Sequence, residues 1–140
     1  MKAKFQKLYN NIAHEVAKMS HARRLQVGAV IVKDGRVISM GYNGMPAGWE
    51  NNCESTQEDG TLKTKPEVLH AESNAIAKLA KSNDSGLDAE LFVTHAPCME
   101  CSKLIFQSGI RRVYFSLDYR DDSGIKFLKQ SGVEVIKHEE

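Results

Sequence analysis

A three-layer α/β/α architecture around a five-stranded mixed sheet is what this sequence predicts, and three observations predict it. Five short runs rich in β-branched and aromatic residues, Val27–Val32, Val37–Gly41, Glu90–Thr94, Arg112–Ser116 and Val133–Ile136, read as strands. Segments of helical periodicity precede the first run and separate the later ones. Asp34-Gly35 between the first two runs is a hairpin signal and makes that pair antiparallel, whereas strand, helix, strand at the later spacing implies right-handed parallel crossovers. The chain has 140 residues, 41% hydrophobic and 26% charged, which fits one globular domain spanning 1–140 with mass for one core.

In chain order, Phe5, Leu8, Ile12 and Val16 recur at helical spacing over residues 3–18, an amphipathic helix expected to lay that stripe on the sheet. Ser20 to Arg24 is a polar connection into the first strand. Its two arginines admit two readings, a solvated loop or a phosphate anchor in which Ser20 and Arg23 supply a hydroxyl and a guanidinium fork. The second strand ends in Gly41-Tyr42-Asn43-Gly44-Met45-Pro46, a tight-turn composition. From Ala47 to Lys65 no periodicity is visible, and a structureless stretch of that length suggests a lid or effector loop. Cys53 within it has no nearby histidine or cysteine and reads as a lone thiol. A helix follows from His70 and stops at Ser82–Gly86; the third strand delivers a second helix from Cys98 that ends at Gly109. Leu117–Asp122 follows the carboxyl end of the fourth strand, where open α/β sheets bind ligands. Tyr119 and Arg120 are there candidates for base stacking or phosphate contact, against a plain polar loop. Ile125, Leu128 and Gly132 mark a last helix.

Composition excludes several classes. No charged segment followed by an apolar core marks a signal peptide, and no apolar run approaches the roughly 20 residues that span a bilayer. Three cysteines, two of them in Cys-x-x-Cys, argue against a disulfide framework and for a reducing cytoplasm. A balance of 19 Lys+Arg against 18 Asp+Glu gives no overall field for a nucleic-acid polymer, so a small substrate is favoured.

The residues that carry chemistry are His70, Glu72, Cys98 and Cys101. Each helix start presents its ligands on its first turn, and Cys98 and Cys101, three apart, share one face. One imidazole and two thiolates make three protein ligands for a tetrahedral Zn²⁺, leaving the fourth position for water, as in catalytic and not structural sites. Pro97 ends the strand, and the helix N-terminus favours thiolate. Glu72, two residues from the histidine, does not share its ligand direction and suits a proton carrier beside the water.

His70-x-Glu72 followed by Pro97-Cys98-x-x-Cys101 matches the signature of zinc nucleobase deaminases. With Ser20-x-x-Arg23-Arg24-x-x-Val27-Gly28-Ala29-Val30 and Gly41-Tyr42-Asn43-Gly44-Met45-Pro46, nearly the whole chain resembles the deoxycytidylate (dCMP) deaminases. The resemblance implies a cytidine deaminase-like fold and hydrolytic deamination of dCMP to dUMP, supplying dUMP for dTMP synthesis. It further implies that Asn43 holds the sugar hydroxyl, and that the Ala71 N–H and the Ala96 carbonyl orient the pyrimidine. It also implies an allosteric site for dCTP and dTTP at the turn of Tyr42 and Gly44, Mg²⁺ accompanying that nucleotide, and a homohexamer. Rival readings keep the site but change the substrate, to cytidine, tRNA adenosine, or a pteridine or riboflavin precursor. A further rival makes the chain a zinc-stabilised nucleotide-binding module without catalysis; an intact Glu72 argues against it.

Overall fold

The structure, a computed structural model, describes residues 1–138. Helix α1 (Ala3–Ala17) leads into strands β1 (Gly28–Lys33) and β2 (Arg36–Tyr42). A small hairpin, β3 (Glu54–Thr56) and β4 (Leu62–Thr64), precedes α2 (Ala71–Leu79). Strand β5 (Glu90–His95), α3 (Met99–Gln107), β6 (Arg112–Leu117), α4 (Ser123–Gln130) and β7 (Glu134–Lys137) complete the order. The main sheet has five strands in the order β2-β1-β5-β6-β7. β1 runs antiparallel to both β2 and β5, and β5, β6 and β7 are parallel, so the predicted mixed sheet is present. At the first hairpin Asp34 and Gly35 both take positive φ, 51° and 74°, the backbone of the turn that the Asp-Gly pair predicts.

Alternation along the strands sends side chains to two cores. Ala29, Ile31, Leu91, Val93, Val113 and Phe115 meet α2, α3 and α4 through Ala75, Ile105 and Leu128. Val30, Val32, Phe92 and Tyr114 face the other way, onto Tyr9 and Ala13 of α1. The rings of Phe92 and Tyr114 stack with centroids 4.4 Å apart. Three layers result, with one helix on one face and three on the other.

The face that α1 buries is not the predicted one. Tyr9, Ala13 and Ala17 pack on the sheet, while Phe5 and Leu8 are 41% and 47% exposed and Ile12 and Val16 lie at the margin of the contact. The cause is at Gly28. A Cβ there would stand 2.1 Å from the Ala13 carbonyl oxygen, so the helix approaches closely enough that only small side chains fit between it and β1. A stripe chosen by size alone therefore points at the wrong side. Residues 47–65 also differ from expectation, because Glu54–Thr56 and Leu62–Thr64 pair as an antiparallel hairpin around Asp59-Gly60.

Candidate active site

The ends of three elements meet beyond the carboxyl end of β5. β2 ends in a turn whose Gly44 pairs with Leu69 in both directions, N–H to carbonyl at 3.1 and 2.8 Å, and so fixes the chain just before His70. His70 caps α2 and Cys98 caps α3, both with extended backbone, which turns their side chains out of the helix axis toward each other. Two glycines let neighbouring elements pack tightly against these helix starts, Gly41 of β2 against α2 and Gly124 of α4 against the turn into α3. A Cβ at Gly41 would sit 2.4 Å from the Ala71 carbonyl oxygen, and one at Gly124 would sit 2.3 Å from that of Pro97 and 2.8 Å from the Cys98 carbonyl carbon. In the sequence Gly41 stands out only as the start of a turn motif and Gly124 not at all, because close approach leaves no spacing signal.

His70, Cys98 and Cys101 converge, with ligand atoms all within 4.8 Å of one another; among the described residues they are the one such group. His70 Nδ1 lies 3.5 Å from Cys98 Sγ and 3.3 Å from Cys101 Sγ. Zinc bonds of about 2.3 Å to sulfur and about 2.0–2.1 Å to nitrogen at the tetrahedral angle require an N···S edge of about 3.6 Å. The donor set therefore fits Zn²⁺ in chemistry and in size. The side chains share a proton accordingly: the hydrogen bond with Cys101, then that with His70, pulls the Cys98 thiol down to about 4. The same bond and burial push Cys101 up. Contact with Cys98 raises His70 against the effect of its burial.

Glu72 is 5% exposed on the first turn of α2. Burial pushes its carboxyl up to about 7, with the Glu72 N–H and His70 pulling the other way. A carboxyl poised there exchanges protons at neutral pH, which a structural site does not need.

His70, Glu72 and Cys98 line a cavity of about 540 Å³. Ala71 and Ala96 line it too, Ala71 as the first helical residue with its N–H unclaimed by the helix. Asn43 is on the wall, its Oδ1 accepting the Val27 N–H at 2.9 Å and its Nδ2 donating to the Leu25 carbonyl at 2.7 Å. Each end of that amide keeps capacity for a further bond. Tyr119 and Arg120 are also on the wall. His95 is at the cavity, with Nδ1 2.9 Å from Thr94 Oγ1, and burial lowers its pKa. Cys53 is buried and donates to the Asn51 carbonyl at 3.4 Å, a lone thiol as read.

Two expected anchors are elsewhere. Ser20 is buried outside the cavity lining, its hydroxyl donating to the Asn43 carbonyl at 2.7 Å and accepting the Ala22 N–H, so it shapes the turn. Arg23 does not line the cavity, and its Nε stands 3.5 Å from buried Glu54. Its neighbour Arg24 is the one on the wall, a one-residue distinction that sequence cannot make in a loop. Tyr42 and Gly44 also lie outside the lining, Tyr42 exposed and Gly44 occupied with Leu69.

A three-layer α/β/α sheet with a His, Cys, Cys set and a buried glutamate at helix starts defines the zinc-dependent nucleobase deaminases as the class. Residues 3–117 match the model of the cytidine and deoxycytidylate deaminase zinc-binding region, and the chain belongs to that family. It is similar to the deoxycytidylate deaminase of Enterobacteria phage T4, 32% identical with 89% of this chain and 85% of the relative covered. ComE operon protein 2 of Bacillus subtilis is 39% identical over 88% of this chain, which spans 65% of that relative's length. Among solved structures, the dCMP deaminase of cyanophage S-TIM5 in complex with dCMP and dUMP superimposes with a TM-score of 0.92, at 45% identity and 99% coverage of both chains. Among the described residues no helix is long and apolar enough to cross a membrane.

Proposed function

We propose that this chain hydrolyses dCMP to dUMP and ammonia. The observation that carries the proposal is one cavity holding the His70, Glu72 and Cys98 groups together with Asn43 and two arginines, Arg24 and Arg120. Its size suits a nucleoside monophosphate, within the roughly 300–1,000 Å³ range of small-ligand pockets. The similarity to the S-TIM5 enzyme over 99% of both chains supports the choice of nucleotide.

His70, Cys98 and Cys101 would hold the zinc ion, Cys98 entering as thiolate. Zinc bound there lowers the pKa of a coordinated water toward about 7 and so supplies a nucleophile at neutral pH. Glu72 would carry the protons: one from the attacking water to N3 as its oxygen adds at C4, then the proton of the C4 hydroxyl so formed to the departing amine as the C4–N4 bond breaks, leaving the C4 carbonyl and ammonia. The Ala71 N–H donates to the C2 carbonyl, the Ala96 carbonyl accepts from the exocyclic amine, and Asn43 holds the sugar hydroxyl. Tyr119 lies beside the base. Because the two sulfurs must stay reduced to bind metal, the reaction belongs in a reducing cytoplasm.

The family resemblance extends the proposal to regulation by dCTP and dTTP, with Mg²⁺, at the turn carrying Tyr42 and Gly44, and to a homohexamer. Tyr42 and Gly44 lie outside the cavity lining, while Asn43 between them is on the wall, so an effector held at the turn would adjoin the substrate site. The apolar residues Phe5 and Leu8 that α1 leaves exposed supply a face for assembly. The deciding experiment incubates zinc-loaded protein with dCMP, deoxycytidine and a tRNA anticodon stem-loop, and measures ammonia and the uracil or inosine product. Ammonia from dCMP at the highest kcat/KM is expected; turnover of the tRNA alone, or of nothing, would overturn the proposal.

A further inference from the structure

The β3–β4 hairpin, in a stretch without sequence periodicity, reaches the cavity wall. Glu54 opens β3 and pairs in register with Thr64 of β4, and both line the cavity. Glu54 is 2% exposed, and its Oε2 accepts the N–H of Arg23 at 2.9 Å and of Arg24 at 3.1 Å. Across the hairpin, Thr64 Oγ1 accepts from Arg24 Nη1 at 3.1 Å. Arg24 is therefore held twice, at its backbone by one strand and at its guanidinium by the residue facing it on the other.

The two adjacent arginines differ in charge pairing. Arg23 Nε lies 3.5 Å from Glu54 Oε1, an oxygen with no hydrogen-bond partner. Arg23 thus balances the buried carboxylate from outside the cavity lining. Arg24 and Arg120, both on the wall, have no carboxylate within 4.0 Å of the guanidinium among the described residues. A guanidinium whose position is fixed and whose charge is unmatched, on the wall of a partly enclosed cavity, is suited to a phosphate.

Resting on the deaminase assignment and deepening it, we infer that the β3–β4 hairpin is a clamp that presents Arg24 to the phosphate of a nucleoside monophosphate. Arg24 is then a specificity-determining residue, with Arg120 as its companion, and Glu54 is a positioning residue that acts through Arg24. A short polar hairpin with no core of its own persists because it sets which substrates the cavity prefers.

The test compares R24A, R23A and E54Q with wild type, all zinc-loaded. It measures kcat and KM for dCMP and deoxycytidine, and the affinity for dUMP by calorimetry. Losing a charge-assisted phosphate contact in R24A should reduce the preference for dCMP over deoxycytidine about 10–100-fold, through KM for dCMP, and weaken dUMP to a like degree. E54Q should shift the same ratio about 3–10-fold, where a merely structural loss lowers both substrates together. R23A should shift it less than R24A does. If R24A fails to fold, R24K carries the comparison, since it keeps the charge but loses the fork. Wild type that binds dUMP and prefers dCMP, with R24A equal to it or R23A matching R24A, overturns the clamp alone. Wild type with no dCMP turnover and no dUMP affinity overturns the deaminase assignment and the clamp with it.

Discussion

Glu72 is buried, sits two residues after His70 of the converging donor set and has its carboxyl pushed up to about 7, so the role proposed for it is separable from metal binding. Glu72→Gln should retain stoichiometric zinc by atomic absorption yet lose about 10²–10⁴-fold in kcat, the scale of a general acid–base group. Cys98→Ala should lose the zinc itself, since only His70 and Cys101 remain of the set; stoichiometric metal in that variant would remove Cys98 from the ligands. Glu54 permits a prediction in pH. Burial works to raise its carboxyl, but the N–H groups of Arg24 and Arg23 and the Arg23 guanidinium together hold it below its ordinary 4.5. A depressed folded-state pKa contributes stability above the unfolded value and loses it as pH falls through the folded one. Glu54→Gln should thus cost about 1–3 kcal/mol in urea denaturation at pH 7, from weakening a buried charged acceptor. The gap to wild type should narrow at pH values below 4.5; a gap constant from pH 7 to 3 would contradict this. The grouping of His70, Cys98 and Cys101, with Glu72 buried on the same helix start, was legible in the sequence, because donor chemistry and spacing are local properties. Arg24 was not singled out from Arg23, because which of two neighbours faces a cavity is decided by tertiary contacts, here Glu54 and Thr64 from 30 and 40 residues away.

At the scale of elements, the site depends on how closely two helix starts approach. α4 begins against the Pro97–Cys98 turn, with Gly124 in contact with its backbone, and α2 rests on Gly41 of β2. Gly124→Ala must displace backbone and not a flexible side chain, so a cost of about 1–3 kcal/mol is expected, as for other overpacked sites. Because the displaced turn carries Cys98, the same variant should release zinc faster to a chelating dye than a surface variant such as Lys129→Ala; equal release would uncouple Gly124 from the site. All five strands of the main sheet and the four helices were readable, since alternation, helical periodicity and the Asp-Gly and Gly109 signals are short-range. What failed was facing and pairing. α1 turned Ala13 and Ala17 inward because Gly28 admits the helix too closely for large side chains there, and the same face carries Tyr9 onto Phe92 and leaves Phe5 and Leu8 exposed. The β3–β4 hairpin left no alternation because its strands have three residues each and mostly exposed side chains.

For the whole molecule, a zinc ion held by His70, Cys98 and Cys101 would be a source of stability separate from the core. Zinc would join the starts of α2 and α3, which are 28 residues apart in the chain, at the edge of a sheet whose two faces are already packed. Small zinc modules unfold without metal because coordination replaces a core. Here Ile31, Leu91, Phe92, Val113 and Tyr114 are at most 2% exposed and do not depend on the ion, so the apoprotein should remain folded. Binding to the native state alone adds about 4.1 kcal/mol when free zinc is a thousandfold above Kd. At about 2–4 °C per kcal/mol for a domain near this size, stripping the metal should lower Tm by about 10 °C while the far-ultraviolet circular dichroism at 25 °C stays native. Readdition of one equivalent of zinc should restore both Tm and ammonia release from dCMP. Loss of the native dichroism on chelation would mean that the ion builds the fold, whereas an unchanged Tm after verified removal would mean that the ion does not bind the native state in preference to the unfolded chain.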